Sequence, residues 1–262
     1  MKKLPSVLVI AVISLLSLAG SCSKENSGSG YNKPVDSFNL VIYFKPMADT
    51  VLLRYDSTTC RNFWKEKYTV SNFKYYISHI NLINTDSNVT KQINDDKYFL
   101  VDAVDSLKCL VKLSVAPYRY NRISFTIGVD SAHNVSGAQT GALDPINGMF
   151  WTWTSGYVMA KLEGRSSVSS LVNNKMEYHI GGFRSDSSVL RKPVLLFPYG
   201  QYLQIGVGSK ASMTITANVN AWFYNPHELK IAKTPSCTTP GPSAVAISEN
   251  YSKMFTVTAI TN

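Results

Sequence analysis

Catalytic signatures are what this 262-residue sequence has least of. No G-x-S-x-G is present, which removes the nucleophile elbow of the α/β-hydrolases. No H-E-x-x-H is present either, since His227-Glu228 has no second histidine at the spacing that sets two imidazoles on one helical face. A P-loop is missing. Gly206-Val207-Gly208 lacks the third glycine of a dinucleotide fingerprint and sits in a strand-like stretch. Without C-x-x-C, a zinc ribbon and a thioredoxin-like redox pair are excluded. The 26 Lys and Arg give a net charge of +9 but never form a run, so nucleic acid is not an expected partner. Internal repeats are absent, and helical periodicity is scarce.

What the chain does have begins at its N-terminus. Met1-Lys2-Lys3 is followed by an apolar stretch from Val7 to Ala19, about the length of a signal-peptide core and too short to span a bilayer comfortably. Leu18-Ala19-Gly20-Ser21-Cys22 resembles a lipobox, with small residues just before the cysteine. Residues 1–21 are therefore predicted to be a lipoprotein signal peptide, with cleavage before Cys22 and lipid on that cysteine. The competing reading is an ordinary secretory signal with an incidental cysteine. The polar stretch to Ser37 favours the first, because it reads as a flexible tether over 22–37. Ser23-Lys24-Glu25 resembles the export tag of Bacteroidetes surface lipoproteins. The expected location is the cell envelope, lipid-anchored at the outer membrane on its periplasmic or surface face. Loss of Lys2 and Lys3 with the signal would bring +9 down to +7. The remaining cysteines, Cys60, Cys109 and Cys237, are odd in number. They allow one disulfide and a free thiol, or three separate thiols.

Residues 38–262 read as one β domain, long enough for a sizeable core and rich in aromatics, with 15 Tyr and 11 Phe. Ile123, Phe125, Ile127 and Val129 alternate with Ser124 and Thr126. Met213, Ile215, Ala217 and Val219 alternate with Thr214 and Thr216. A period of two marks a half-buried strand. Phe38–Phe44, Tyr75–Ile83, Tyr98–Val101, Leu107–Val115, Trp151–Leu162, Met176–Ile180, Val194–Phe197 and Tyr202–Val207 are further strand candidates. Short helices are expected only at Ser57–Lys65 and Ala244–Met254. The expected fold is all-β: an antiparallel β-sandwich, Ig-like or an open-barrel variant, with long loops and one or two short helices. Asp130–Asp144 is polar and Gly-rich and reads as a long ordered loop of the kind that carries sites.

Four histidines are the candidate metal ligands: His79, His133, His179 and His227. None is paired in sequence, so the fold would have to assemble any site. His179 stands beside Gly181-Gly182, where open backbone can form a pocket rim, and His227 follows Pro226 at a turn. His133 lies in the polar loop and is expected to face water. Imidazole suits copper and zinc. Trp151 and Trp153 on one strand face would most simply build core. Exposed, they could stack on sugar; beside a metal, one could be redox-active. Asp144 and Glu163 are the nearest candidates for a glycosidase pair, although a turn Asp and a strand-end Glu explain them as well.

The block from Gly128 to Gly182 resembles the MbnP-like domain, named after the periplasmic partner protein of methanobactin copper uptake. The matching residues are Gly128-Val129-Asp130, Leu143-Asp144-Pro145, and the run Met149-Phe150-Trp151-Thr152-Trp153-Thr154-Ser155-Gly156-Tyr157. Lys161-Leu162-Glu163-Gly164 and Tyr178-His179-Ile180-Gly181-Gly182 complete it. The resemblance implies a secreted β-rich protein that binds copper and has no catalytic activity of its own. It further implies a partner dihaem enzyme, related to cytochrome c peroxidases, that oxidises a Trp to kynurenine. His179 falls on the family's His-Gly motif, and Trp151 and Trp153 on its Trp pair; Asp144, Gly156, Tyr157 and Gly181 are motif positions. His227 and His79 join His179 as expected metal ligands on this sequence's own evidence. Many relatives continue the His-Gly pair with a Ser-Thr-Gly-Cys run, where this chain has Gly182-Phe183-Arg184-Ser185, so that local cross-link is not expected. The alternative function is a metal-free lipoprotein whose sandwich binds a surface glycan or a protein.

Overall fold

Phe44 shows how the core is built. It lies on the strand Leu40–Ala48, where every second residue is buried. Its ring meets Tyr75, Phe125 and Phe255 edge-on, at centroid distances of 6.1, 5.7 and 5.9 Å. Phe44 and Phe255 belong to one sheet; Tyr75 and Phe125 belong to the other. The four rings clamp two sheets face to face. Each fully buried ring contributes about 1.5–3 kcal/mol from burial, and edge-to-face pairs add about 0.5–1.5 kcal/mol.

The computed structural model describes residues 38–93, 96–153 and 156–262. The predicted signal peptide, Cys22 and the tether lie outside the described residues. The described residues all fall in one compact unit. It is an all-β sandwich of curled sheets, as expected from the period-two patterns. In the smaller sheet, Leu40–Ala48 pairs with Leu110–Leu113 on one side and with Ala211–Asn218 on the other; Phe255–Thr261 extends the sheet beyond Ala211–Asn218. The Leu40–Ala48 and Ala211–Asn218 pair is parallel, which the long connection between them permits. The sheets are therefore mixed rather than purely antiparallel.

The larger sheet is organised by the 18-residue strand Lys67–Asn84. Its first half pairs with Gly156–Arg165 and its second half with Arg122–Ile127. Phe99–Asp102 and Val89–Ile93 pair with it as well. Gly156–Arg165 pairs in turn with Lys175–Gly181.

Three local readings change. Ser57–Lys65 is not a helix: Cys60–Arg61 pairs with Tyr68 and Lys67 as a small hairpin, and the β-branched pair Thr58-Thr59 leading into it suits that extended geometry. Trp151–Leu162 is not one strand but a hairpin, Phe150–Trp151 turning back on Gly156–Arg165, with Trp151 opposite Gly156. A helix forms instead inside the polar loop, at Ser131–Val135, because Asp130 accepts from the His133 amide and caps it. The second helix, Pro242–Tyr251, falls where helix was expected. Among the described residues no helix is long and apolar enough to cross a membrane. Cys60, Cys109 and Cys237 are all free and buried. Burial pushes the Cys60 and Cys109 thiols up to about 11, so they remain protonated.

Candidate metal centre

The strand Lys67–Asn84 does not run straight past His79. Ser78 pairs with Thr126 and Asn81 with Ser124, so His79 and Ile80 together oppose Phe125. The extra residue makes a β-bulge. His79 adopts a left-handed backbone at φ 48°, a costly conformation for a residue with a Cβ. Bulges re-aim side chains, and here the imidazole is turned toward the loop after Ile127. Its Nδ1 lies 3.0 Å from the Ser78 hydroxyl, and its Nε2 lies 3.7 Å from Asp130 Oδ2.

Asp130 is the centre of this cluster. Its carboxylate meets His133 Nδ1 at 3.1 Å from both oxygens and accepts a short hydrogen bond from the Tyr98 hydroxyl. Tyr98 Oη is also 2.8 Å from His133 Nδ1. Burial pulls the Asp130 carboxyl upward, but the Tyr98 hydroxyl and the His133 amide and ring outweigh it and hold the pKa at about 2. Burial, then the bond to Asp130, raises Tyr98, so the phenol keeps its proton and donates it. The His79, Asp130 and His133 side chains around Tyr98 are partly open, at 29%, 28% and 31% exposed. The cluster stands between two hollows. One, of about 340 Å³, is bordered by His79, Asp130 and Lys192. The other, of about 270 Å³, is bordered by Tyr98, His133 and Gln139.

The loop that presents Asp130 and His133 is held from below by two motif neighbours. Asn134 is fully buried; its amide nitrogen donates to the Val129 and Asp130 carbonyls, and its oxygen accepts from the Tyr157 amide. The Tyr157 hydroxyl donates to the Leu143 carbonyl at 2.9 Å and accepts from the Gln139 amide at 3.2 Å. Tyr157 is thus a strut of the loop. Asp144 caps the turn Pro145–Asn147 through the Ile146 amide, and Gly156 sits opposite Trp151.

His179 goes elsewhere. On the strand Lys175–Gly181 it is opposite Lys161, which is opposite Lys74, which is opposite Asp102. Along this row His179 Nε2 meets Glu163 at 2.6 Å and Lys74 meets Asp102 at 3.1 Å. Asn72 donates to the other Glu163 oxygen. The His179 hydrogen bond dominates in holding Glu163 down at about 2. Glu163 is thereby taken up by His179 and Asn72, and Asp144 is occupied in a turn. His227 Nε2 forms a short hydrogen bond with Glu249. The structure therefore does not bring His179, His227 and His79 together. It joins His79 to His133, the residue expected to face water, to Asp130 of the Gly128-Val129-Asp130 match, and to Tyr98, which no local motif singles out. The signal available was the interruption of alternation at Ser78-His79 and the D-x-x-H spacing of a helix cap.

The Trp pair divides. Trp151 is buried and Trp153 is 63% exposed, with ring centroids 5.4 Å apart. Trp151 lies against Gly181: a Cβ there would come within 2.4 Å of its ring. The conformational requirement at Gly181 is therefore a close approach, one that any larger residue would obstruct.

The donor chemistry fits a borderline metal. Two imidazoles and a carboxylate are the nitrogen and oxygen set that divalent copper accepts in tetragonal sites. Among the described residues no three His, Cys, Asp or Glu side chains form a ready cage. Hydrogen bonds join Asp130, His133 and Tyr98, and His79 Nε2 stands 3.7 Å from Asp130 Oδ2.

Fold and site together define a β-sandwich domain with a histidine–carboxylate cluster at a strand bulge. The chain belongs to the MbnP family, whose sequence profile matches residues 37–239. No curated protein sequence matches it. A solved structure, MbnP from Methylosinus trichosporium, shares 12% identity with it over 76% of this chain and 82% of that one, at a TM-score of 0.48.

Proposed function

We propose that the chain is an envelope-anchored copper-binding protein without catalytic activity of its own, and that His79, His133 and Asp130 hold the metal with Tyr98 beside them. The observation that supports this most is the convergence of two imidazoles and a carboxylate from a bulged strand and a capped loop. Membership of a family named for MbnP supports copper as the metal. Copper bound there would supply a Lewis-acidic or redox centre at the surface. The chain's own residues do the rest. Asn134 and Tyr157 fix the loop, the bulge aims His79, and Tyr98 holds the carboxylate in place. Lipid on Cys22 would keep this domain at the membrane, so Cys22→Ser should move the protein from the membrane to the soluble fraction.

The test is copper titration of the apo protein against a competing chelator. The expected result is about one copper per chain, with nitrogen and oxygen ligation in the electron paramagnetic resonance spectrum. The double variant His79→Ala, His133→Ala should lose that signal. An unchanged spectrum and affinity in the double variant would remove this site.

The exposure of Trp153 favours a second role, as substrate of a dihaem peroxidase. Cleavage would place two oxygen atoms from two equivalents of peroxide across the indole C2–C3 bond, releasing two waters. Hydrolysis would then release C2 as formate and leave kynurenine, a net gain of about 4 Da from chemistry that a haem can carry. Mass spectrometry of the protein from its native host should find the gain on a Trp153 peptide. An unmodified Trp153 there would count against this role.

A further inference from the structure

We infer that a groove at the far side of the small Cys60–Arg61 hairpin is a binding site for an acidic oligosaccharide. It is separate from the histidine cluster and independent of the copper reading. Its cavity is about 540 Å³, within the range of small-ligand sites.

The groove is floored by a rigid polar lattice. The Asp49 carboxylate accepts from the amide groups of Asn218 and Asn220 at 3.2 and 2.7 Å. Asn220 also donates to the Arg61 carbonyl and accepts from the Tyr68 hydroxyl. One wall is an aromatic platform. Phe63 and Tyr224 stack in parallel, 3.9 Å apart and tilted by 6°, while remaining 55% and 44% exposed. Trp64 braces both rings edge-on at 5.1 and 5.8 Å. The Trp64 indole N–H donates to the Phe223 carbonyl, and the Lys230 ammonium covers its face. Stacked on each other, the two rings leave one outer face each, and a pair so braced is unlike the scattered apolar residues of an ordinary surface. A braced aromatic face suits the apolar C–H face of a sugar ring, because ordering it costs little on binding.

Charge selects the kind of sugar. Arg61, Lys65 and Lys253 line the groove against the single carboxylate of Asp49, which its asparagine partners already occupy. An arginine lining the same groove as the rings suits a uronate carboxylate, or a sulfate or phosphate ester.

Detergent-solubilised full-length protein, titrated with oligogalacturonate and with a neutral malto-oligosaccharide, tests the proposal. Saturable binding of oligogalacturonate is expected, about tenfold or more tighter than the neutral chain. Phe63→Ala should weaken it by about tenfold while the protein stays folded at the assay temperature, and Phe63→Tyr should restore it. The double variant Arg61→Gln, Lys253→Gln should weaken binding and flatten its salt dependence. Three results would overturn the proposal: no saturable binding to oligogalacturonate or to any acidic glycan on an array, equal binding by Phe63→Ala, or tighter binding of a single-stranded oligonucleotide.

Discussion

His79 and His179 both stand on strands of the larger sheet, each beside a carboxylate, yet they are placed for different work. His179 sits in perfect pairing, within a row that runs Asp102, Lys74, Lys161, His179 across the sheet. Its Nε2 is taken up by Glu163 at 2.6 Å. His79 sits where pairing fails, on a bulge with a left-handed backbone, and its Nε2 stops 3.7 Å short of Asp130. Regular register holds His179 within reach of Glu163, its diagonal neighbour on the adjacent strand. A break in register aims a side chain out of its row and toward a neighbouring loop. The second arrangement is the one proposed above to take copper, whereas the first chiefly joins strands.

Copper affinity should separate the two histidines most sharply. His79→Ala and His133→Ala should each weaken copper by about tenfold or more, while His179→Ala should leave it within about twofold in a chelator competition. The reverse order would assign the metal to the His-Gly motif and leave the bulge as strain alone. Next comes the support beneath the cluster. Asn134→Ala strands the Tyr157 amide and the Val129 carbonyl, and should cost about 2 kcal/mol in denaturant unfolding while also weakening copper. A stability loss without a copper effect would show that the loop position does not matter to the metal.

On the other side of the comparison, Gly181→Ala drives a methyl group into Trp151 and should cost about 1–2 kcal/mol, with copper binding at the bulge unchanged. The smallest effect concerns the row itself. Glu163 has its pKa lowered from 4.5 to about 2 in the fold, first by His179. A depressed carboxylate contributes stability above its unfolded pKa and loses it as pH falls through the folded one. Glu163→Gln should therefore destabilise by no more than about 1 kcal/mol near neutrality, as partly exposed ion pairs do. The gap should close as pH falls from 4.5 toward about 2. A gap that persists at the acid end would mean packing, not charge, is what Glu163 supplies.

Much of the sandwich could be read from the chain because alternation is a local property. Ile123, Phe125 and Ile127 point one way whatever they pair with, and all three are fully buried. The Trp151 hairpin was harder: its alternation runs through the turn, and only the pairing of Trp151 with Gly156 reveals the reversal. The site was legible in part. Tyr157 and Gly181 were recognisable as motif positions, but their tasks, bracing a loop and admitting an indole, depend on neighbours far along the chain. His133 looked like a residue in a polar loop because hydrophilic composition does not distinguish a solvated side chain from one that meets a carboxylate three residues back.

The sequence by itself determined that this protein is a β-sandwich of the MbnP family rich in aromatics, without the local signatures of the common enzyme classes. Those properties live in residue types and their spacing, and need no long-range partner to be seen. Only the tertiary structure decided which histidine meets which carboxylate. That choice rests on a single extra residue in a strand and on a helix cap, together bringing positions 79, 98, 130 and 133 to one place. Spacing along a chain cannot specify such a meeting, because it depends on how separate strands and loops close on one another.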